Sequence, residues 1–197
     1  MPALLRDLDP RAVALEACTA LLRHVHALRL KITPLEIWIP VLGPEGSKAA
    51  RPKEASAEDL VDGSDFGLTV QTLTAFAQHG APVGDWATPE EGADAILAIA
   101  AALYNSALGA HDTAPGILSE GEPTTDLETV LLAAWTRVQL GRGEAVEPRQ
   151  IACLGSWSVR TVRQHVEVGE LRSLGGRPAR IGAEDARRYL AERGVQA

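Results

Sequence analysis

Residues 147–194 read EPRQIACLGSWSVRTVRQHVEVGELRSLGGRPARIGAEDARRYLAERG. Helix-period segments and turn residues alternate here in a fixed order. Glu147 precedes Pro148, which suits a first helical turn because its missing N–H has no partner to lose. Ile151, Ala152 and Leu154 supply the apolar side of this first short helix, and Ala152 is small enough for a close crossing. Gly155 and Ser156 make a turn, and Trp157 is a large apolar plug. Ser158 is a good N-cap for a second helix over residues 159–168. In that helix Val162 and Val166 recur at i, i+4 and face inward, leaving Arg160, Arg163, Gln164 and Glu167 outside. Gly169 ends it. Leu171 to Leu174 and Ala179 to Ile181 predict short strands around Gly175-Gly176, with Arg177 at the tip beside Pro178. A last helix over residues 183–193 carries Ala186, Tyr189 and Leu190 on its apolar stripe and stops at Gly194.

The pattern Ser158-x-x-Thr161-Val162, Gly169-Glu170-Leu171, Gly175-Gly176-Arg177, Arg180-Ile181 and Asp185-x-x-x-Tyr189-Leu190 resembles the MerR-like and excisionase-like winged helix-turn-helix family. The resemblance covers about a quarter of the chain. It implies a DNA-binding domain over residues 148–197. Helix 158–168 would lie in the major groove, and the 175–178 wing would touch backbone or minor groove. The DNA-facing residues it implies are Ser158, Val159, Arg160, Arg163, Gln164, Arg172, Arg177 and Arg180. Three features depart from the family. Ser156 stands at the turn position usually held by glycine. His165 stands where a large core side chain is usual. The module follows the rest of the chain instead of preceding a long dimerising helix, so an effector-sensing MerR mechanism is not expected.

Charge points the same way. Residues 148–197 hold nine arginines, no lysine and five acids, a net of +4, whereas residues 1–147 hold ten basic and twenty-one acidic residues, a net of −11. A basic segment beside an acidic body suits phosphate binding. Arginine without lysine favours forked contacts to phosphate or guanine.

Residues 1–140 read as an all-helical domain, making the whole chain mainly α, and GRGEAVE at 141–147 reads as a linker. Asp9 and Pro10 open a helix to about Leu30. Its Ala14, Cys18, Leu21, Val25, Leu28 and Ile32 form a short heptad seam. Thr33-Pro34-Leu35-Glu36 is a capping box for a brief helix limited by Pro40. Residues 43–56 are a loop by composition. Ser56-Ala57-Glu58-Asp59 starts a further helix, and the pattern from Gly67 to His79 stays helical up to Gly80. Thr88-Pro89-Glu90-Glu91 opens a helix to about Leu108, with Ala93, Ile96, Ala100, Leu103 and Ala107 on one seam. Residues 109–124 are a loop, and Thr125-x-x-Glu128 caps a helix to about Leu140.

This body carries no recognisable chemistry. His24 and His26 diverge by about 200° on a helix and cannot share a metal. His79 and His111 have no ligand pattern near them. Phosphate-cradling glycine loops, paired-cysteine zinc spacings and nucleophile motifs are absent from the sequence. The pairs Glu58-Asp59 and Glu90-Glu91 sit in first helical turns, where the macrodipole accounts for them. Hence neither an enzyme nor a cofactor or metal site is expected. The start MPALLRDLDPR lacks a secretion signature, and no stretch is apolar enough to span a membrane. Cys18 and Cys153 read as buried thiols of a reducing, cytoplasmic compartment.

Two functions from different classes follow. One is a sequence-specific DNA-binding protein, a bacterial, phage or plasmid transcriptional regulator or excisionase-like factor, bound to double-stranded DNA. It would be a homodimer through residues 1–140, because one winged helix contacts few base pairs. The alternative is a protein-interaction adaptor, antitoxin-like or an assembly subunit, that presents the winged helix to protein.

Overall fold

The computed structural model describes residues 4–29, 56–80, 91–96, 99 and 123–196. They form α1 (Pro10–Arg29), α2 (Ala57–Gly63), α3 (Asp65–His79), α4 (Asp126–Gly141), α5 (Pro148–Gly155), α6 (Val159–Glu167) and α7 (Ala183–Ala191). A 3₁₀ turn at Leu5–Asp7 precedes α1, and residues 91–96 are helical. The protein is mainly α, as its periodicities predict.

Helix starts follow local capping chemistry. The Ser56 hydroxyl accepts from the Asp59 N–H at 3.2 Å, and the Asp59 carboxylate accepts from the Ser56 N–H at 3.1 Å. At α4 the Thr125 hydroxyl accepts from the Glu128 N–H at 3.2 Å, and Glu128 returns a carboxylate to the N–H groups of Thr124 and Thr125. Such boxes satisfy donors that the first turn leaves without partners. Where the pattern predicts helix from Gly67, Ser64 divides two helices. It ends α2, and its hydroxyl caps α3 by accepting from the Gly67 N–H at 3.1 Å.

The central element is α4. Leu127, Val130, Leu131, Leu132, Ala133, Ala134, Val138 and Leu140 are all buried, spread around the helix and not confined to one stripe. A helix apolar all round belongs inside, and α4 touches α1, α3, α5, α7 and the 3₁₀ turn. Its buried threonines, Thr129 and Thr136, donate to the carbonyls of Thr125 and Leu132 at 2.9 and 2.7 Å. Glu16 of α1 accepts from the Leu127 N–H at 3.3 Å, placing a carboxylate at the positive end of α4. One apolar cluster therefore runs from Leu5 and Val13 through α4 to Ile151, Ile181 and Leu190.

Arg137 of α4 is buried without a described carboxylate partner. Its guanidinium donates to the carbonyls of Ala77 at 2.8 Å, Gln78 at 3.0 Å and Gln196 at 2.5 Å. Two of these are C-terminal carbonyls of α3, which lack helical partners and carry the negative end of its dipole. Gly80 caps that end at φ 71°, and a Cβ there would run into the Arg137 guanidinium. Burial pushes the Arg137 pKa down to about 10, which leaves it charged at neutral pH.

Residues 141–147 connect α4 to α5 and are anchored within the fold. Val146 is fully buried and bridges Ile181 through hydrogen bonds of 2.9 and 2.8 Å. Leu171–Leu174 and Ala179–Ile181, expected as strands, do not form a ladder. Gly175 bridges Arg180, and Ile181 pairs with Val146 instead of with the first expected strand. Pro178 has no N–H to give, and Gly175 and Gly176 both adopt positive φ, which turns the chain away from extended pairing.

The α5–α6 turn is closed by Ser156 in the left-handed region, φ 54° and ψ 38°. The preceding Gly155 stays helical, and the Trp157 ring occupies the space its Cβ would need. Hence Ser156→Gly should stabilise the protein by about 0.5–1 kcal/mol, by removing the left-handed penalty. Gly155→Ala should cost about 1–3 kcal/mol, because the indole must move. Denaturant titration of both variants checks the pair, and equal stability changes of one sign would contradict this account of the turn.

Ala14 and Cys18 of the heptad seam, and Ala93 and Ile96 of the alanine seam, are buried in the chain's own core. The side chains of Val25, Leu28 and Ile32, and Ala100, Leu103 and Ala107, lie outside the described residues. So do the Thr33 capping box, the 43–55 loop, the Thr88 helix start, His111 and most of the 109–124 loop. Cys18 and Cys153 are free thiols, and burial pushes them up to about 11 and 12. The Cys153 thiol donates to the Thr129 carbonyl, Sγ to O 3.4 Å.

Candidate nucleic-acid interface

The basic segment is built on α5, α6 and α7 around Ile151, Ala152, Leu154, Val162, Leu171, Ile181, Ala186, Tyr189 and Leu190, all buried. Glu147 precedes α5, and its N–H donates to the Gln150 side chain at 2.8 Å. Gln150 is itself buried and donates to Gln139 of α4 at 2.5 Å, joining the segment to the central helix. Ser158 caps α6, its hydroxyl accepting from the Thr161 N–H at 3.0 Å.

On α6, Val162 is fully buried and Val166 half-buried, so the opposite side faces outward. Arg160, Arg163, Gln164 and Glu167, spaced i, i+3, i+4 and i+7, are all exposed on that side. Ser158 and Thr161 are exposed at its N-terminal end, and Val159 is half-buried. Arg160 and Arg163 form no ion pair with a described residue, nor do Arg172 and Arg177 of the following loop. The loop closes through the Leu174 N–H to the Arg180 carbonyl at 2.7 Å and the Arg180 N–H to the Gly175 carbonyl at 3.0 Å. Arg177 and Pro178 project from its exposed tip.

Arg180 differs from these four. Its guanidinium donates to the Ala145 carbonyl at 2.6 Å and lies 3.9 Å from the Glu147 carboxylate. It ties the loop to the 141–147 connection, a role invisible in the local sequence because the partner is thirty-five residues away.

His165, half-buried on α6, joins a cluster that sequence alone leaves unassembled. Its Nδ1 is 2.5 Å from the Tyr189 hydroxyl and 3.8 Å from Glu170. Trp157 meets Tyr189 edge-on at 5.7 Å between ring centroids, and the Arg193 guanidinium lies 3.8 Å from the Tyr189 ring centre. Arg193 also pairs with Glu170 at 3.2 Å. These contacts pin α6 and the following turn to α7, so the outward face of α6 is held in one orientation. Tyr189 is held above its usual pKa, by burial first and then by Glu170, against the pull of Arg193.

Among the described residues no three His, Cys, Asp or Glu side chains gather as a metal site, and no helix is long and apolar enough to cross a membrane. No protein-family model, curated protein or solved structure matches the chain.

Proposed function

We propose that residues 148–197 act as a winged helix-turn-helix that binds double-stranded DNA sequence-specifically, in a transcriptional regulator or excisionase-like factor. The observation that carries this is the exposed face of α6. Arg160 and Arg163 stand there without ion-pair partners among the described residues, with Gln164 exposed beside them and a following loop that presents Arg172 and Arg177. Arginine reads guanine and glutamine reads adenine in the major groove, and unpaired arginines exchange readily onto phosphate. The acidic remainder of the chain is repelled by phosphate, which favours docking through this segment alone.

A single module reads few base pairs, so two copies on two half-sites fit this function best. Ala14, Cys18, Ala93 and Ile96 of the two seams are buried in the chain's own core, and the homodimer is proposed through the body of residues 1–140.

A protein-binding use of the same module is favoured by one observation. Val168 and Leu174 are exposed at 62% and 65% beside the arginine face. Salt separates the two. Phosphate binding weakens steeply as salt rises, whereas an apolar interface is little affected. In anisotropy titrations of labelled duplex, Arg177→Ala should weaken binding to all sequences about equally and lower the log–log salt slope by about one unit. An altered sequence preference with an unchanged slope would mean that the loop reads bases. Duplex binding that is absent at low salt would leave the protein-binding use.

A further inference from the structure

We propose that Glu167 is a specificity residue of this module, accepting a hydrogen bond from the N4 amino group of a cytosine in the major groove. The proposal rests on the DNA-binding function argued above. Glu167 is the last residue of α6 and is exposed on the same side as Arg160, Arg163 and Gln164. It forms no ion pair or hydrogen bond with a described residue, although Arg163 lies one turn earlier at pairing distance in sequence.

Its position is unfavourable on both counts that usually explain a surface carboxylate. A negative charge in a last turn opposes the helix dipole, and a negative charge among phosphates is repelled. The nearby Glu170 shows the contrast, since it is neutralised by Arg193 at 3.2 Å. A carboxylate on a groove-facing helix is tolerable where it meets a donor, and the donors exposed there are the exocyclic amino groups of cytosine and adenine. Adenine sets the N7 acceptor beside its amino group, which repels a carboxylate and suits an amide such as Gln164. Cytosine offers the donor alone.

The test is enrichment of random duplexes on the full chain, wild type and Glu167→Ala, followed by titration of the preferred duplex and of an unrelated one. Wild type should enrich cytosine at one position, and Glu167→Ala should relax that position and leave the others. Affinity of the variant for the preferred duplex should fall about tenfold, while its affinity for unrelated duplex rises. The opposite signs are diagnostic. If Glu167→Ala binds both duplexes more tightly by the same factor with an unchanged motif, Glu167 merely repels phosphate and the proposal is overturned, with DNA binding intact. If the wild type enriches no motif and binds no duplex, DNA binding itself fails and this proposal fails with it.

Discussion

Replacing Arg160 and Arg163 together by alanine is expected to weaken binding to the preferred duplex by about a hundredfold or more, with stability unchanged. Each side chain is exposed on the outward face of α6 and makes no ion pair with a described residue that the substitution would break. A bidentate arginine–guanine contact is worth about 1–3 kcal/mol of discrimination, and each phosphate contact adds a salt-dependent increment. The two lie one turn apart on the same face, close enough for their effects to couple. Thermal unfolding of the double variant should match the wild type to within about 0.5 kcal/mol, because surface substitutions away from caps and cores change little. Wild-type affinity in the double variant would remove α6 from the groove.

The largest loss of stability is expected at Arg137. Arg137→Met keeps the apolar stem but removes the donors to the Ala77, Gln78 and Gln196 carbonyls. Hydrogen bonds to a charged group contribute about 1.5–3 kcal/mol each, and the Ala77 carbonyl would stay buried without a partner, whereas those of Gln78 and Gln196 are only partly buried. Part of this is returned, because burying the guanidinium carries its own desolvation cost, seen in its lowered pKa of about 10. The net loss should be about 3 kcal/mol, or a fall in Tm of about 6–12 °C for a chain of this size. A loss under about 1 kcal/mol in denaturant titration would show that the three carbonyls find water when the arginine is gone. DNA affinity per folded molecule should hold, since Arg137 lies away from the α6 face.

The helices were legible because their signals are local. Ser56 with Asp59, Thr125 with Glu128, Ser158 with Thr161, and Pro148 after Glu147 each set a helix start within four residues. The outward face of α6 was legible for the same reason, since Val162 and Val166 fix the buried side. What escaped the sequence depends on distant partners. The expected pairing of Leu171–Leu174 with Ala179–Ile181 gives way because Val146, on the connection before α5, takes the place beside Ile181. Arg180 reads as one more surface arginine until the Ala145 carbonyl is beside it. His165 is placed by Tyr189, twenty-four residues on, which supplies its hydrogen-bond partner. Ser156 stands where the turn calls for glycine, and it adopts the left-handed conformation itself.

The most direct measurement is amide chemical-shift mapping of the full chain titrated with a duplex it enriches. The account predicts shifts concentrated at residues 158–168 and 172–180, with α1, α2 and α3 unmoved. Shifts confined to α1–α3, or none at duplex concentrations that saturate a phosphate-driven site, would contradict it.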